Sequence, residues 1–330
     1  MDTLLLTRKD VATLLSLDEC IPAVEQAFKL YAEGKALPPK VMGLHTQNGG
    51  FHIKAGILDL GETFFVAKIN SNFRFNGIER GLPLIQGVVV VCDGDDGRLL
   101  AVMDSIELTI LRTGAATAVA AKYLALPTAT QLTICGCGNQ GQVSLKALMQ
   151  VRAIEKVYAY DIDPRKADEF VAQLSAELRL PMEAVTDLGS ALRKSDICIT
   201  CTSSTQAFIK PEDIMPGCFI GAIGADSHEK QELDPELLAS NKLVTDITEQ
   251  CRDIGELHHA LKKGSMTVEE VHAELGDIIA GKKPGWTSAE EIIIFDSTGM
   301  ALQDVAAASI VYEKAFKNGM GSKFDFGKMA

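Results

Sequence analysis

The stretch Leu132-Thr133-Ile134-Cys135-Gly136-Cys137-Gly138-Asn139-Gln140-Gly141 decides the fold of this chain. Its first four residues make an apolar run suited to a buried strand, and Gln142 to Arg152, which follow, have helical spacing. The glycines between them have separate duties: Gly136 permits a tight turn, Gly138 lets the backbone approach a pyrophosphate, and Gly141 permits close helix packing. A glycine pattern alone is a weak signal. Here the next strand, Val157-Tyr158-Ala159-Tyr160, completes a βαβ unit and ends at Asp161, about twenty residues past the last glycine, where a carboxylate meets the adenosine ribose hydroxyls. The stretch therefore predicts a Rossmann domain that binds NAD, with Asn139 and Gln140 in the phosphate loop. NADP is the alternative, because Arg165 and Lys166 follow closely and can meet a 2'-phosphate.

Downstream, apolar runs at Ile197 to Thr200, Phe219 to Ile223, Leu243 to Thr245 and Glu291 to Phe295 alternate with amphipathic stretches, the rhythm of a doubly wound parallel sheet. The strand ends Thr200-Cys201-Thr202-Ser203-Ser204 and Gly221-Ala222-Ile223-Gly224-Ala225-Asp226 should line the cofactor crevice, with Thr202, Ser203 and Gly224 as contacts. Upstream the texture differs. Thr7 to Glu33 reads as two helices ahead of any strand, and Lys40 to Asp104 as short β-rich runs with a hairpin at Asp93-Gly94-Asp95-Asp96-Gly97. The alanine-rich run from Arg112 to Ala121 reads as a connecting helix stopped by Pro127, and the last helix, Ala301 to Lys317, as a return to the first domain. The expected architecture is α/β: a Rossmann domain over 118–299, with an α+β domain over 1–117 and 300–330 whose sheet is mainly antiparallel.

Composition excludes several classes. At 330 residues the chain exceeds a usual single core. Its net charge of -12 repels a phosphate backbone, so nucleic acid is not an expected partner. No apolar run spans a bilayer, and the N-terminus does not read as a signal peptide, which makes the cytoplasm the expected compartment. Several of the 8 cysteines sit in strand-like runs as small hydrophobes. Cys198 and Cys201 have pair spacing but lack further ligands, and a strand turns them to opposite faces, so no metal is expected.

Taken in order, Pro38-Pro39-Lys40, Lys68, Leu111-Arg112-Thr113-Gly114-Ala115, the glycine motif, Gly224-Ala225-Asp226, Lys230-Gln231-Glu232-Leu233 and Phe295-Asp296-Ser297-Thr298-Gly299 make the chain resemble the ornithine cyclodeaminase and mu-crystallin family. That family also holds an alanine dehydrogenase and several ketimine or imino-acid reductases. The resemblance runs from the first helix to beyond Asp304. It implies a homodimer whose first domain binds substrate and pairs with the partner's sheet, and an amino or imino acid held by its α-carboxylate. It places Lys40, Lys68 and Arg112 among the cationic substrate residues, Lys54 as a further basic position, Asp226 as the catalytic acid, and Thr113, Ser297 and Thr298 in the cofactor motifs.

Elementary chemistry agrees with these roles. A guanidinium clamps a carboxylate in bidentate fashion, which suits Arg112. A lysine among cations has a lowered pKa and can shuttle a proton to or from nitrogen, and a nearby carboxylate stabilises an iminium, which suits Lys68 and Asp226. The plainer alternatives are solvated loop lysines at Lys40 and Lys54, a structural pairing at Arg112, and a helix N-cap at Asp226. Within the family, cyclodeaminases carry an acid two positions before the residue matching Lys54, where this chain has His52. They also tend to have Gly-His-Pro where it reads Ile69-Asn70-Ser71-Asn72-Phe73-Arg74. A dehydrogenase or imine reductase is therefore preferred over a cyclodeaminase or a non-catalytic, crystallin-like binding protein. If His52 and Arg74 face the pocket, they favour a short side chain with an anionic or polar end, such as the imine of oxaloacetate; alanine and cyclic ketimines stay open.

Overall fold

The computed structural model describes residues 2–73 and 75–328, so Arg74 lies outside the described residues. The chain divides into two compact units, Met1–Arg112 with Met300–Ala330, and Thr113–Gly299. The division falls inside the helix Ile106–Leu124, between Arg112 and Thr113.

In the first unit, β1 (Thr3–Leu6), β2 (Lys40–Thr46), β3 (Gly49–Asp59), β4 (Thr63–Asn72), β5 (Ile85–Asp93), β6 (Leu99–Asp104) and the C-terminal β17 (Ser322–Phe324) form a seven-stranded sheet ordered β17-β1-β6-β5-β4-β3-β2. Strands β2 to β6 run as an antiparallel meander, as alternation and the Asp93 to Gly97 turn require. Two elements depart from the sequence reading. A strand, β1, precedes the helices, and the glycine-containing tail ends in another, β17. Leu4–Leu6 pair with Ala101–Met103 and Thr3–Leu5 with Ser322–Phe324, so partners distant in sequence, not local propensity, make these strands.

The helices Leu17–Ala32 and Ala301–Asn318 pack on each other, and the latter lies against β3 and β4. The covered face buries Leu58, Phe64, Val66, Val89, Val91 and Met103, each of which contributes about 1.5–3 kcal/mol of hydrophobic stabilisation. Close approach is possible at Gly56, where an added Cβ would stand 2.9 Å from Leu302 Cδ2. The opposite face leaves Met42, Leu44, Phe51, Ile69 and Val88 exposed.

The second unit holds an eight-stranded sheet, all parallel, built from β7 (Gln131–Cys135), β8 (Lys156–Tyr160), β9 (Met182–Ala184), β10 (Ile197–Thr200), β12 (Phe219–Ala222), β14 (Lys242–Thr245), β15 (Ala273–Glu274) and β16 (Ile293–Asp296). A separate two-stranded ribbon joins β11 (Thr205–Ile209) to β13 (Gln231–Leu233). The order is β15-β14-β16-β12-β10-β7-β8-β9, so the chain goes from β7 to β8 on one side and returns to β10 on the other. That reversal is a topological switch point, and a crevice at the carboxyl ends of β7 and β10 is where such sheets bind ligands. Strands β10, β12 and β16 are buried throughout, as sheets covered on both faces require. Among the described residues, no helix is long and apolar enough to cross a membrane.

Candidate active site

In the first unit three cations are drawn into the sheet's covered face. Lys54 on β3 lies directly opposite Lys68 on β4, and Arg112 is also buried. Like charges at directly opposed positions destabilise an antiparallel pair, and burying a charge is costly unless it is compensated. Compensation comes from the helix Ala301–Asn318. Its Asp304, 1% exposed, places Oδ1 2.7 Å from Lys68 Nζ and 3.1 Å from Arg112 Nε. The neighbouring Gln303 accepts a bond from Arg112 Nη1 at 2.9 Å. Burial, and then the Arg112 guanidinium, press the Lys68 ammonium down to about 7 against the opposing pull of Asp304. Burial pushes the Asp304 carboxyl up, but Lys68 and Arg112 outweigh it and hold it below the usual carboxylate range. Lys68 and Arg112 share the single carboxylate of Asp304, an arrangement that suits an anionic ligand.

The other first-unit candidates separate. By strand alternation His52 shares its face with Lys54, and its ring makes an edge contact with His45 at 5.9 Å. Lys40 is exposed and paired in register with Ala55, which puts it on the opposite face from Lys54 and Lys68. Lys40 is therefore not part of the buried cluster. Asp304 and Gln303 are what the sequence reading missed; their signal was a polar pair inside the apolar run Ala301-Leu302 to Val305-Ala306-Ala307-Ala308.

In the second unit Gly136 has φ +102°, and a Cβ there would stand 2.9 Å from the Cys201 carbonyl oxygen. A Cβ on Gly141 would collide with the Gly136 carbonyl oxygen, so the helix Asn139–Leu148 can start close to the turn only from glycine. Gly138, its N-cap, faces open space, and Asn139 is exposed. This cradle, at the amino end of a helix whose first amides lack partners, fits a dinucleotide pyrophosphate. Asp161 follows β8, where its Oδ2 accepts the Cys137 amide (3.0 Å) and its Oδ1 the Asp163 amide (3.0 Å), so the acid expected at the ribose is fixed to the glycine loop. Gln140 presents a buried Oε1 with no partner among the described residues. Arg165 is turned to Asp163, bonding through Nε at 3.0 Å and Nη2 at 2.8 Å.

The strand-end loops are held from behind by buried acids. Glu232 accepts from Thr200 Oγ1 (2.7 Å), the Thr202 amide (2.6 Å) and the Gly224 amide (3.0 Å), joining the ends of β10 and β12. Glu256 accepts the amides of Glu232 and Leu233, and Asp296 those of Glu256 and Leu257. Asp246 takes the Gly299 amide at 2.6 Å and the Thr298 hydroxyl at 3.0 Å, with Ser297 Oγ at 3.5 Å. Ser297 and Thr298 thus give their hydroxyls to a structural network. Burial raises the pKa values of Glu232 and Glu256 and pushes Asp296 up to about 7. Glu232 stands in Lys230-Gln231-Glu232-Leu233, and nothing in the sequence ties it to Thr202. Ser203 is exposed, and Thr113 is buried with its carbonyl accepting from Thr117 Oγ1 at 3.0 Å.

Asp226 is exposed at the end of the β12 loop and pairs with Lys230 Nζ at 2.6 Å. No helix follows it, so it is not an N-cap. Among the described residues, no group of His, Cys, Asp and Glu could hold a metal ion.

The whole architecture recurs in known proteins. An archaeal alanine dehydrogenase, a dimer with bound NAD, superposes with a TM-score of 0.95 at 41% identity, over 99% of this chain and 100% of that one. The Thermococcus litoralis Δ1-pyrroline-2-carboxylate reductase, in complex with NADH and L-proline, gives 0.91 at 33% identity over 97% and 99%. The iminosuccinate reductase of Paracoccus denitrificans, in complex with NAD+, gives 0.90 at 33% identity over 99% and 100%. The model of the ornithine cyclodeaminase/mu-crystallin family matches residues 1–319, and with relatives this similar over nearly the full length, the chain belongs to that family.

Proposed function

We propose that this protein is an NAD-dependent oxidoreductase that transfers hydride between the nicotinamide and the α-carbon of a small amino or imino acid. The observation that carries the reading is the buried Lys68–Arg112–Asp304 cluster, whose charge calls for a carboxylate. NAD, when bound, accepts or supplies the hydride; the chain's own residues do the rest. Arg112 clamps the α-carboxylate and fixes the α-carbon. Lys68 Nζ takes a proton from the substrate nitrogen during oxidation and returns it during reduction, a task served by a pKa near neutrality. Lys54 adds attraction for the anion, and Asp226 is the acid that supports the iminium or orients water. His52 stands where cyclodeaminases carry an acid, which favours net redox chemistry over cyclodeamination.

Asp161 selects NAD, and the commitment of Arg165 to Asp163 leaves the 2'-phosphate of NADP poorly served. The exposed apolar face of Met42, Leu44, Phe51, Ile69 and Val88 pairs with a second copy; the archaeal relative is a dimer. The cysteines are all free, several of them buried, which suits the reducing cytoplasm. The test is a panel of pyruvate, oxaloacetate and other 2-oxo acids with ammonia or methylamine, plus cyclic imines, assayed with NADH and NADPH. Turnover of none of them with either coenzyme would refute the reading.

A further inference from the structure

Asp304 and Gln303 hold more capacity for hydrogen bonding than the protein uses. One carboxylate oxygen of Asp304, Oδ1, meets both Lys68 and Arg112, while Oδ2 is buried with no partner among the described residues. Gln303 accepts from Arg112 through Oε1, and its buried Nε2 donates to nothing among them. A carboxylate paired with a guanidinium frequently uses both oxygens in a forked pair. Here Arg112 Nη1 bonds the glutamine, while Nε lies 3.1 Å from a single carboxylate oxygen without a hydrogen bond to it, so one acceptor, Asp304 Oδ2, and two donors, Gln303 Nε2 and Arg112 Nε, stay idle at one cluster. Buried polar atoms without partners are uncommon in native folds, and an acceptor beside two donors at one ion cluster matches the ammonium and carboxylate ends of an α-amino acid.

We propose that Asp304 and Gln303 complete the substrate site: Asp304 Oδ2 accepts an N–H from the substrate's α-amino or iminium group, and Gln303 Nε2 donates to its α-carboxylate beside Arg112. Asp304 Oδ1 at the same time positions Lys68 next to that nitrogen. The inference rests on the amino-acid reading above and adds the residues that distinguish an amino acid from a plain carboxylic acid.

The test compares matched ligands by calorimetry with saturating NADH, which cannot take hydride from them: L-alanine with propionate, L-aspartate with succinate, and L-proline with cyclopentanecarboxylate. The wild-type protein should bind at least one amino acid ten-fold or more tightly than its deaminated partner. Asp304→Asn should abolish that preference while leaving the plain carboxylate bound as well or better, because a negative charge beside Arg112 is removed. A residue needed only to hold the fold would weaken both ligands together. Gln303→Leu should weaken both members of a pair by the same factor, with NADH affinity unchanged within two-fold. If Asp304→Asn does not fold, Asp304→Glu keeps the charge but moves the oxygen, and it too should lose the preference. An unchanged amino-to-deaminated ratio, loss of both ligands together, or no preference in the wild type would each overturn the proposal. These ratios are read without turnover, so an inactive wild type that still prefers the amino acid would overturn the oxidoreductase reading alone.

Discussion

Gly224→Ala tests whether Glu232 is a fixed part of the cofactor crevice. A methyl group there would stand 2.5 Å from Glu232 Cδ and Oε2 and 2.6 Å from Oε1. Such contacts are cheap when they fall on the loose end of a side chain. Glu232, however, is 0% exposed and its carboxylate is held by Thr200, Thr202 and Gly224. If it stays, overpacking costs about 1–3 kcal/mol. If it moves, each buried donor left behind loses a charge-assisted bond of about 1.5–3 kcal/mol. The chain takes the cheaper course, so the expected loss is about 1–3 kcal/mol, or roughly 2–12 °C in Tm for a domain of this size. NADH affinity should fall as well, because the loops carrying Thr202 and Gly224 are the ones displaced. Calorimetric melting and NADH fluorescence titration measure both. Adding Glu232→Ala makes room for the methyl, so the double variant should cost less than the sum of the singles. A Tm within about 1 °C of wild type together with unchanged NADH affinity would refute the reasoning.

The remaining expectations concern charge. Lys68, with a pKa of about 7, should give kcat/KM for amino-acid oxidation a limb that falls below neutral pH, and the reductive direction a limb that falls above it. Lys68→Met should remove both limbs and lower turnover by about 10²–10⁴-fold, checked by pH-rate profiles in each direction. Arg112→Ala should weaken substrate binding and turnover while sparing NADH affinity, whereas Asp226→Asn should mainly lower turnover; steady-state kinetics with separate coenzyme titration resolves the two, and full turnover in Asp226→Asn removes that residue from the mechanism. For stability, Asp296 binds its proton more tightly folded than unfolded, so its contribution is fully present below pH about 4 and is lost as pH rises through about 7. Melting of wild type against Asp296→Asn between pH 5 and 8 should show a steeper rise toward acid in the wild type, the remainder in the variant coming from Glu232 and Glu256. Light scattering should report a dimer at micromolar concentration, and Ile69→Lys on the exposed sheet face should dissociate it.

In the second unit the six inner strands were legible from sequence, whereas the edge strands β9 and β15 and the β11–β13 ribbon, two to five residues each, were too short to carry a local signal. Strand runs, helix spacing and the glycines at 136, 138 and 141 are local signals, and in a parallel sheet buried on both faces local order and tertiary order coincide. Arg112, Lys68 and Lys54 were legible as residue types in motif positions. Tertiary structure decided what periodicity cannot carry. The unit boundary lies within one continuous helix, where hydrogen bonding proceeds without a break and no residue marks the change. Register put Lys40 on one face of the sheet and Lys54 on the other, because pleating reverses with every residue. Lys68 meets Asp304 across 236 residues of chain, and Thr202 meets Glu232 across 30. A buried charge finds its counter-charge through packing, and only the packed helix Ala301–Asn318 brings that carboxylate to the cations.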